Sequence, residues 1–341
     1  MSSKAEPEDL WHGRVVKSVD GSSASMPDTL ENQHVFPQPS GQKKGCGFPV
    51  VAFVGVFCLA TGAALAISVG KWFQHDLALF HLLRHVFDFG DIMLADRGFC
   101  SYAEMGLFSN RGVDVVMRLH QARKPDFRRG RVVGVLDHIV TWKKPIQRPS
   151  RLRKKDFKSL PSSMEVREVR YDVVAKGFRP QSITLATTLL DPEKYPAEDL
   201  AALYFRRWEI EVDFYHIKIT MGMDVLRGKT PDVIRKEIWM HLIAYNLTRS
   251  VMWETSKTRA VSPLRISFKG AIQQMAARSD LYSVYGNVRK LSAYDSLLDS
   301  IAGQIVPHRP FRFEPRSRKR RPKNYRLMTR PRAELKAAIG A

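Results

Sequence analysis

The alternation of apolar and polar positions divides the chain into a series of short elements. Residues 14–19, RVVKSV, read as a strand that ends at Asp20 and a Gly-Ser loop. The stretch TLENQHVFPQPSGQKKG is polar and turn-rich, so a loop is expected. Residues 46–70, CGFPVVAFVGVFCLATGAALAISVG, carry no charge and are flanked by Lys43, Lys44 and Lys71. That run is long enough to cross a bilayer. Gly55, Gly62 and the Ala-Thr-Gly turn signal divide it in two, the first half β-branched, and a buried hairpin is the preferred reading. KWFQHDLALFHLLRHVFDFG has helical spacing and predicts a helix over 72–86. DIMLADRGF predicts a buried strand over 91–95 that ends at Asp96. SYAEMGLFSNRG predicts a helix with Ser101 as N-cap and Gly112 as stop, and VDVVMRL another strand.

Residues 119–181 change character. RKPDFRRGRVV, TWKKP and RPSRLRKKDFK precede the alternating VREVRYDVV, which predicts a basic, β-rich insertion. Residues 181–191 return to strand character. Pro196 then opens a helix, residues 231–256 form a second long one with an apolar stripe, and a third is expected near 264–278. The tail from 306 to 333, with RSRKRRPKNYR, is either a disordered arm or one that touches a polyanion. This order predicts a mixed α/β sheet. Asp20 and Asp96 both end predicted strands, and in such sheets neighbouring strand ends converge on one rim where sites form.

The helix after Pro196 carries the most informative pattern. Tyr204, Arg207, Glu211 and Lys218 lie at offsets 0, 3, 7 and 14, and at about 100° per residue they form one narrow stripe. Arg206, Glu209, Asp213 and His216 fall roughly opposite and are expected to be the solvated face. A carboxylate on the inward stripe, beside Trp208 and Tyr215, is paired, metal-bound or functional. An Arg207–Glu211 pair closing over a core aromatic explains it equally well.

Bulk composition sharpens the partner. The 341 residues hold 55 Lys+Arg against 34 Asp+Glu, a net charge of +21, which points to nucleic acid or an anionic membrane surface. Cys46, Cys58 and Cys100 are scattered with no CxxC, so neither a disulfide framework nor a zinc site is signalled, and a reducing cytoplasm fits. The opening MSSKAEPEDLWHG lacks the apolar core of a signal peptide.

Asp20, Asp96 and Glu211, with no His or Cys cluster, suit hard cations such as Mg²⁺ or Mn²⁺. Two such ions can serve both the attacking and leaving oxygens of a phosphodiester. Arg207 and Lys218 would face phosphates, and Tyr204 would hydrogen-bond a phosphate or stack on a base. Each acid also has an ordinary reading. Asp20 before Gly-Ser is a common turn former. Asp28 in MPDT is a helix cap or a rival ligand to Asp20. Asp96 beside Arg97 is a local ion pair, and Asp91 and Asp76 are solvated or capping residues. His81 and His85, four apart, read as a partly buried helix face.

At these residues the chain resembles bacterial insertion-sequence transposases of the DDE type, in the group marked by a Tyr-x2-Arg-x3-Glu-x6-Lys signature. YFRRWEIEVDFYHIK, residues 204–218, matches it fully, ADRGF resembles the second-aspartate motif, and VDGSSASMPDT the first. The resemblance implies a ribonuclease-H-like core with an inserted β-rich subdomain and C-terminal helices. The expected division is 1–118 and 182–256 for the two parts of the core, 119–181 for the insertion, 257–305 for C-terminal helices and 306–341 for a disordered basic tail. It implies metal-dependent cut-and-paste transposition, with Asp20, Asp96 and Glu211 binding two Mg²⁺ or Mn²⁺ ions. Tyr204, Arg207 and Lys218 would contact transposon-end DNA, two copies would work together on DNA, and the protein would be cytoplasmic and nucleoid-associated. Family members usually carry a helical DNA-binding region before the first aspartate, whereas only nineteen residues precede Asp20 here, so an N-terminally truncated copy is expected. The alternatives are a truncated transposase that binds DNA or inhibits full-length partners without cutting, and a membrane-anchored basic protein.

Overall fold

A computed structural model describes residues 9–150, 152–173, 181–278, 287–307 and 328–339. Its frame is one nine-stranded mixed sheet. The strands are β1 (Val16–Ser25), β2 (Val50–Cys58), β3 (Ala64–Lys71), β4 (Ile92–Ala95), β5 (Asp114–Arg118), β6 (Arg131–Gly134), β7 (Asp137–Lys143), β8 (Ser163–Val173) and β9 (Gln181–Thr187). Their order across the sheet is β3-β2-β1-β4-β5-β9-β8-β7-β6. β1, β2 and β3 form an antiparallel meander, β4 runs parallel to β1, and β5 parallel to β4. A meander continued by two parallel strands is the ribonuclease-H-like arrangement that the resemblance implies.

The charge-free run at 46–70 is the β2–β3 hairpin. β2 reads as a continuous apolar run rather than an alternating one because both of its faces are covered. Val54 and Val56 pack towards α2 (Asp76–Phe80) and α3 (Tyr102–Ser109), while Phe53 and Phe57 pack against the helices that follow β9. Among the described residues no helix is long and apolar enough to cross a membrane. α3 begins at Ser101, whose hydroxyl accepts the Glu104 N–H, and Gly112 adopts φ +66° after its end.

Four expectations are corrected. β1 does not end at Asp20 but runs on to Ser25, pairing with β2 from Lys17↔Cys58 to Ser25↔Val50. The small residues read as a loop are needed because Gly21 lies against Asp76, where a Cβ would come within 2.9 Å of the carboxyl carbon. The stretch after Ala24 is not all loop, because α1 (Leu30–Val35) forms there, capped by Thr29. The helix expected over 72–86 is only α2 plus a 3₁₀ turn at Arg84–Val86. Its carbonyls are taken from outside: Lys17 Nζ donates to Val86 O at 2.8 Å and Arg111 Nη2 to Phe87 O at 2.6 Å. These bonds satisfy end carbonyls that a helix leaves without intrahelical partners. Asp91 is not solvated; it is buried and paired with buried Lys17.

The stretch expected as an insertion carries β6, β7, α4 (Lys154–Ser159) and β8. Its strands continue the main sheet, because residues 167–173 of β8 pair antiparallel with the whole of β9, and β9 pairs with β5. After β9 come α5 (Ala197–Phe205), α6 (Trp208–Tyr215), α7 (Pro231–Arg259), α8 (Phe268–Ala277), α9 (Asn287–Ala302) and α10 (Arg332–Ile339). Pro196 precedes α5, and α7 and α8 answer to the expected second and third helices. Residues 308–327, most of the basic tail, lie outside the described residues.

Candidate functional site

The last parallel pair between β1 and β4 is Val19↔Ala95. Asp20 and Asp96 are the next residues on these neighbouring strands, so both carboxylates sit where β4 stops and β1 continues. Their face is set by alternation. Val16, Ile92, Leu94 and Val116 pack under Leu200, Leu203 and Tyr204 of α5, while Ala24, Phe53 and Phe57 pack under Ile210, Phe214 and Ile217. α5 and α6 therefore cross the sheet directly over the two aspartates. Gly55 pairs across from Asp20, and its missing side chain admits Phe214, whose ring would lie 3.1 Å from a Cβ there. Burial of Phe214 among Phe53 and Phe57 contributes about 2–3 kcal/mol to holding α6 in place.

The segment over the site is not one straight helix. A turn at Arg206 and Arg207 separates α5 from α6, and α6 passes into a π turn at His216–Thr220. The four signature residues nevertheless share one side, and all are bonded there. Tyr204 Oη donates to Asp96 Oδ1 at 3.1 Å. Arg207 bridges two acids, with Nη1 3.4 Å from Asp20 Oδ2 and Nη2 3.1 Å from Glu211 Oε1. Lys218 Nζ donates to Ser22 Oγ at 3.1 Å. The Gly21 N–H donates to Asp20 Oδ1 at 2.8 Å. Asp20, Ser22, Glu211, Phe214, Tyr215 and Lys218 line a cleft of about 380 Å³. Glu211 keeps 42% of its side chain exposed, so the acid stands open to a substrate.

The opposite side of the same segment overturns an expectation. Arg206, Glu209, Asp213 and His216 do not form a solvated face. Arg206 pairs with Glu209 and donates to Leu59 O at 3.2 Å. Asp213 is buried against Arg249 and Tyr245 of α7, and His216 stacks on Phe268 of α8 with centroids 4.6 Å apart. Water instead meets Phe205, Trp208, Val212, Tyr215 and Ile219, each more than half exposed. The Asp213–Arg249–Tyr245 cluster clamps α6 from behind and was missed. Its one sequence signal is an arginine in register with the apolar stripe of α7, since Ile238, Leu242, Tyr245, Arg249 and Met252 are all buried.

The electrostatics follow from the packing. Burial pushes the Asp20 carboxyl up to about 6, helped by the charges of Glu211 and Asp96 and opposed by the Gly21 N–H and Arg207. Burial likewise raises the Tyr204 phenol, with Asp96 adding to it. Burial works against the Arg207 charge, yet Tyr204, Asp20 and Asp96 outweigh it and raise its pKa. Asp28 is exposed and accepts from Gln33 at 2.7 Å, whereas Asp20 shares Arg207 with Glu211. His81 bonds Glu104 at 3.0 Å beside Arg84. Carboxylate oxygens with no sulfur or imidazole are the donor set of a hard divalent cation. Arg207 already bridges two of the acids, and among the described residues no three His, Cys, Asp or Glu side chains are grouped to hold an ion. The donor chemistry thus fits a metal, and Arg207 must give way for one to share Asp20 and Glu211.

Residues 11–247 match the family described as Transposase DDE domain. The chain belongs to that family. It is 27% identical over 267 residues to the transposase InsG for insertion sequence element IS4 of Escherichia coli K12, an alignment that covers 77% of this chain and 58% of InsG. It is 37% identical over 72 residues to the putative transposase InsL for insertion sequence element IS186A of the same organism, covering 21% of this chain and 20% of InsL. Among solved structures it is similar to the piggyBac transposase synaptic complex with hairpin DNA, at a TM-score of 0.46 and 10% identity, covering 86% of this chain and 58% of that one. The chain thus spans less than two thirds of InsG.

Proposed function

We propose that this DDE-family chain is a DNA transposase that cuts and rejoins strands at insertion-sequence ends. Asp20, Asp96 and Glu211 act as the catalytic acids, and together they would hold two Mg²⁺ or Mn²⁺ ions. When bound, those ions supply Lewis-acid activation of the entering oxygen and charge stabilisation of the leaving one. The oxygen of a water attacks the scissile phosphorus, the P–O3′ bond breaks, and the 3′-oxygen leaves as a hydroxyl. That hydroxyl then attacks a phosphorus of the partner strand or the target, displacing the oxygen bonded there. Phosphoryl transfer of this kind rests on positioning and electrostatics. Arg207 and Lys218 hold phosphate oxygens on either side of Glu211, and Tyr204 orients Asp96 through their hydrogen bond. Two ends require two copies, so the working assembly is a homodimer on DNA.

The observation that carries this reading is the linkage of three acids from distant parts of the chain on one rim. Tyr204 binds Asp96, and Arg207 binds both Asp20 and Glu211. The test is a nicking assay with the chain, DNA bearing the element's ends, and Mg²⁺. D20N, D96N and E211Q are each expected to reduce nicking at least 10³-fold, an order-of-magnitude figure for loss of transition-state electrostatics, while DNA binding persists. Nicking that survives in all three variants would remove the assignment.

A further inference from the structure

The signature cations each have a partner within the site. Arg207 is held by two carboxylates and Lys218 by a serine hydroxyl. Most other arginines of the sheet and helices are likewise paired: Arg84 with Glu104, Arg153 with Asp156, Arg167 with Asp137, Arg206 with Glu209 and Arg249 with Asp213. One concave place departs from this pattern. A cleft of about 360 Å³ is lined by Arg97, Arg118, Arg123, Lys124 and Arg170, with no carboxylate among its lining residues. Among the described residues none of these five side chains makes an ion pair.

The fold puts this cleft beside the acids. Arg97 follows Asp96 off the end of β4, and Arg118 ends β5, the parallel neighbour of β4. The loop after β5 brings Arg123 and Lys124, and β8 brings Arg170 opposite Thr184 of β9. Two of the cations are braced on aromatic rings. The Arg123 guanidinium sits 3.5 Å from the Trp142 ring centroid, and Trp142 is fixed by its N–H to Glu168 at 2.9 Å. Arg170 sits 4.8 Å from the Phe127 centroid and donates to Thr184 at 3.1 Å. Side chains held this way lose little freedom on binding a ligand. Five like charges in one concave place repel one another unless an anion of several charges fills it.

We propose that this cleft is a second DNA-contact site, which grips the sugar–phosphate backbone of the strand on the β8–β9 side of Asp96. The inference rests on the transposase reading and adds to it a site outside the Tyr-Arg-Glu-Lys signature. Its lining offers chiefly cationic donors and hydroxyls, so the ligand is the phosphate common to every nucleotide, and the grip is independent of base sequence.

The test is the salt dependence of duplex binding by the full chain, measured by fluorescence anisotropy with an element-end duplex and a scrambled one. R118Q/K124Q removes two cleft charges. K154Q/K155Q removes two exposed charges from α4 and keeps the same net charge. Each lost phosphate contact lowers the slope of log K against log[salt] by about 0.9. R118Q/K124Q should therefore flatten the slope by about 1.8, equally on both duplexes. K154Q/K155Q should leave it unchanged, and R118K/K124R should restore it. Equal flattening by both charge-removing pairs, or none by R118Q/K124Q, overturns the cleft while the transposase reading stands. Failure of the unsubstituted chain to bind either duplex overturns both.

Discussion

Replacing Arg249 with Met tests whether α6, which carries Glu211, is held from behind by a buried charge. Arg249 and Asp213 are 4% and 5% exposed. Arg249 Nη2 donates to Asp213 Oδ1, and its Nε donates to Tyr245 Oη at 3.0 Å. The one hydroxyl hydrogen of Tyr245 faces two acceptors, Gly62 O at 2.6 Å and Asp213 Oδ1 at 2.9 Å. With Met at 249, the Asp213 carboxyl stays buried with at most that shared hydrogen for support. Removing one partner of a buried pair costs about 3–5 kcal/mol, which for a chain of this size lowers Tm by roughly 4–7 °C. The cost comes from the stranded charge, not from the missing attraction, so R249M/D213L should recover to within about 2 kcal/mol of the parent. Urea unfolding of the parent, both single variants and the double variant closes the cycle. A loss below about 1 kcal/mol in R249M, or a double variant no better than R249M, would refute the clamp. Asp213 lies two residues after Glu211 on α6, so R249M should also reduce strand nicking at temperatures where the parent is fully folded.

Three further outcomes are expected. R207Q removes the one cation bridging Asp20 and Glu211, and one unit charge a few ångströms away is worth about 1–4 kcal/mol depending on solvent exposure. Mn²⁺ should then bind about tenfold more tightly by calorimetry, and unchanged or weaker binding would show that Arg207 does not compete for those acids. Burial, with the Arg249 charge beside it, lowers the His216 imidazole from 6.5 to about 4. Below 6.5 the unfolded chain therefore takes up the proton first, so stability is lost as pH falls from 6.5 towards 4. Discounted for partial exposure the loss is about 2 kcal/mol, and it should be absent in H216Q when unfolding is compared at pH 7 and pH 4.5. Cys46 is half-buried, Cys58 is buried, and burial pushes the Cys100 thiol up to about 11. Mass spectrometry after brief alkylation at pH 8 should find one modified thiol, Cys46, and rapid modification of Cys100 would contradict its packing.

What the chain shows of its own fold depends on how local each cause is. The β2–β3 hairpin is legible because a charge-free run broken by Gly62, which adopts φ +67°, admits a turn. α3 is legible because Ser101 and Gly112 act within a few residues of the helix they bound. The misses have distant causes. β1 reads as ending at Asp20 because Gly-Ser-Ser favours turns, and only its pairing with β2 holds those residues extended. The 72–86 segment has helical spacing, yet it folds as α2 and a separate 3₁₀ turn whose last carbonyl is taken by Lys17 from β1. The β-strands of 119–181 are legible as strands, but their continuation of the main sheet depends on β8 meeting β9.

The site divides the same way. Offsets within one helical segment are local, so the stripe of Tyr204, Arg207, Glu211 and Lys218 can be read from spacing and survives both the turn before α6 and the π turn after it. The partners of that stripe are not local. Asp20 is 187 residues from Arg207, and Asp96 is 108 from Tyr204. Spacing alone sends the signature cations outward to phosphates, whereas the fold turns Arg207 inward onto two acids. It also reverses the far side of α6, because α7 and α8 cover Asp213 and His216. A charged residue in an amphipathic helix reads as solvated only until another helix arrives to bury it, and Arg249 is what makes that burial tolerable. The acids over the sheet are thus held from two sides, by Arg207 in front and by the Asp213–Arg249 pair behind. A substrate that draws Arg207 onto a phosphate frees Asp20 and Glu211 while the rear clamp keeps α6 in place.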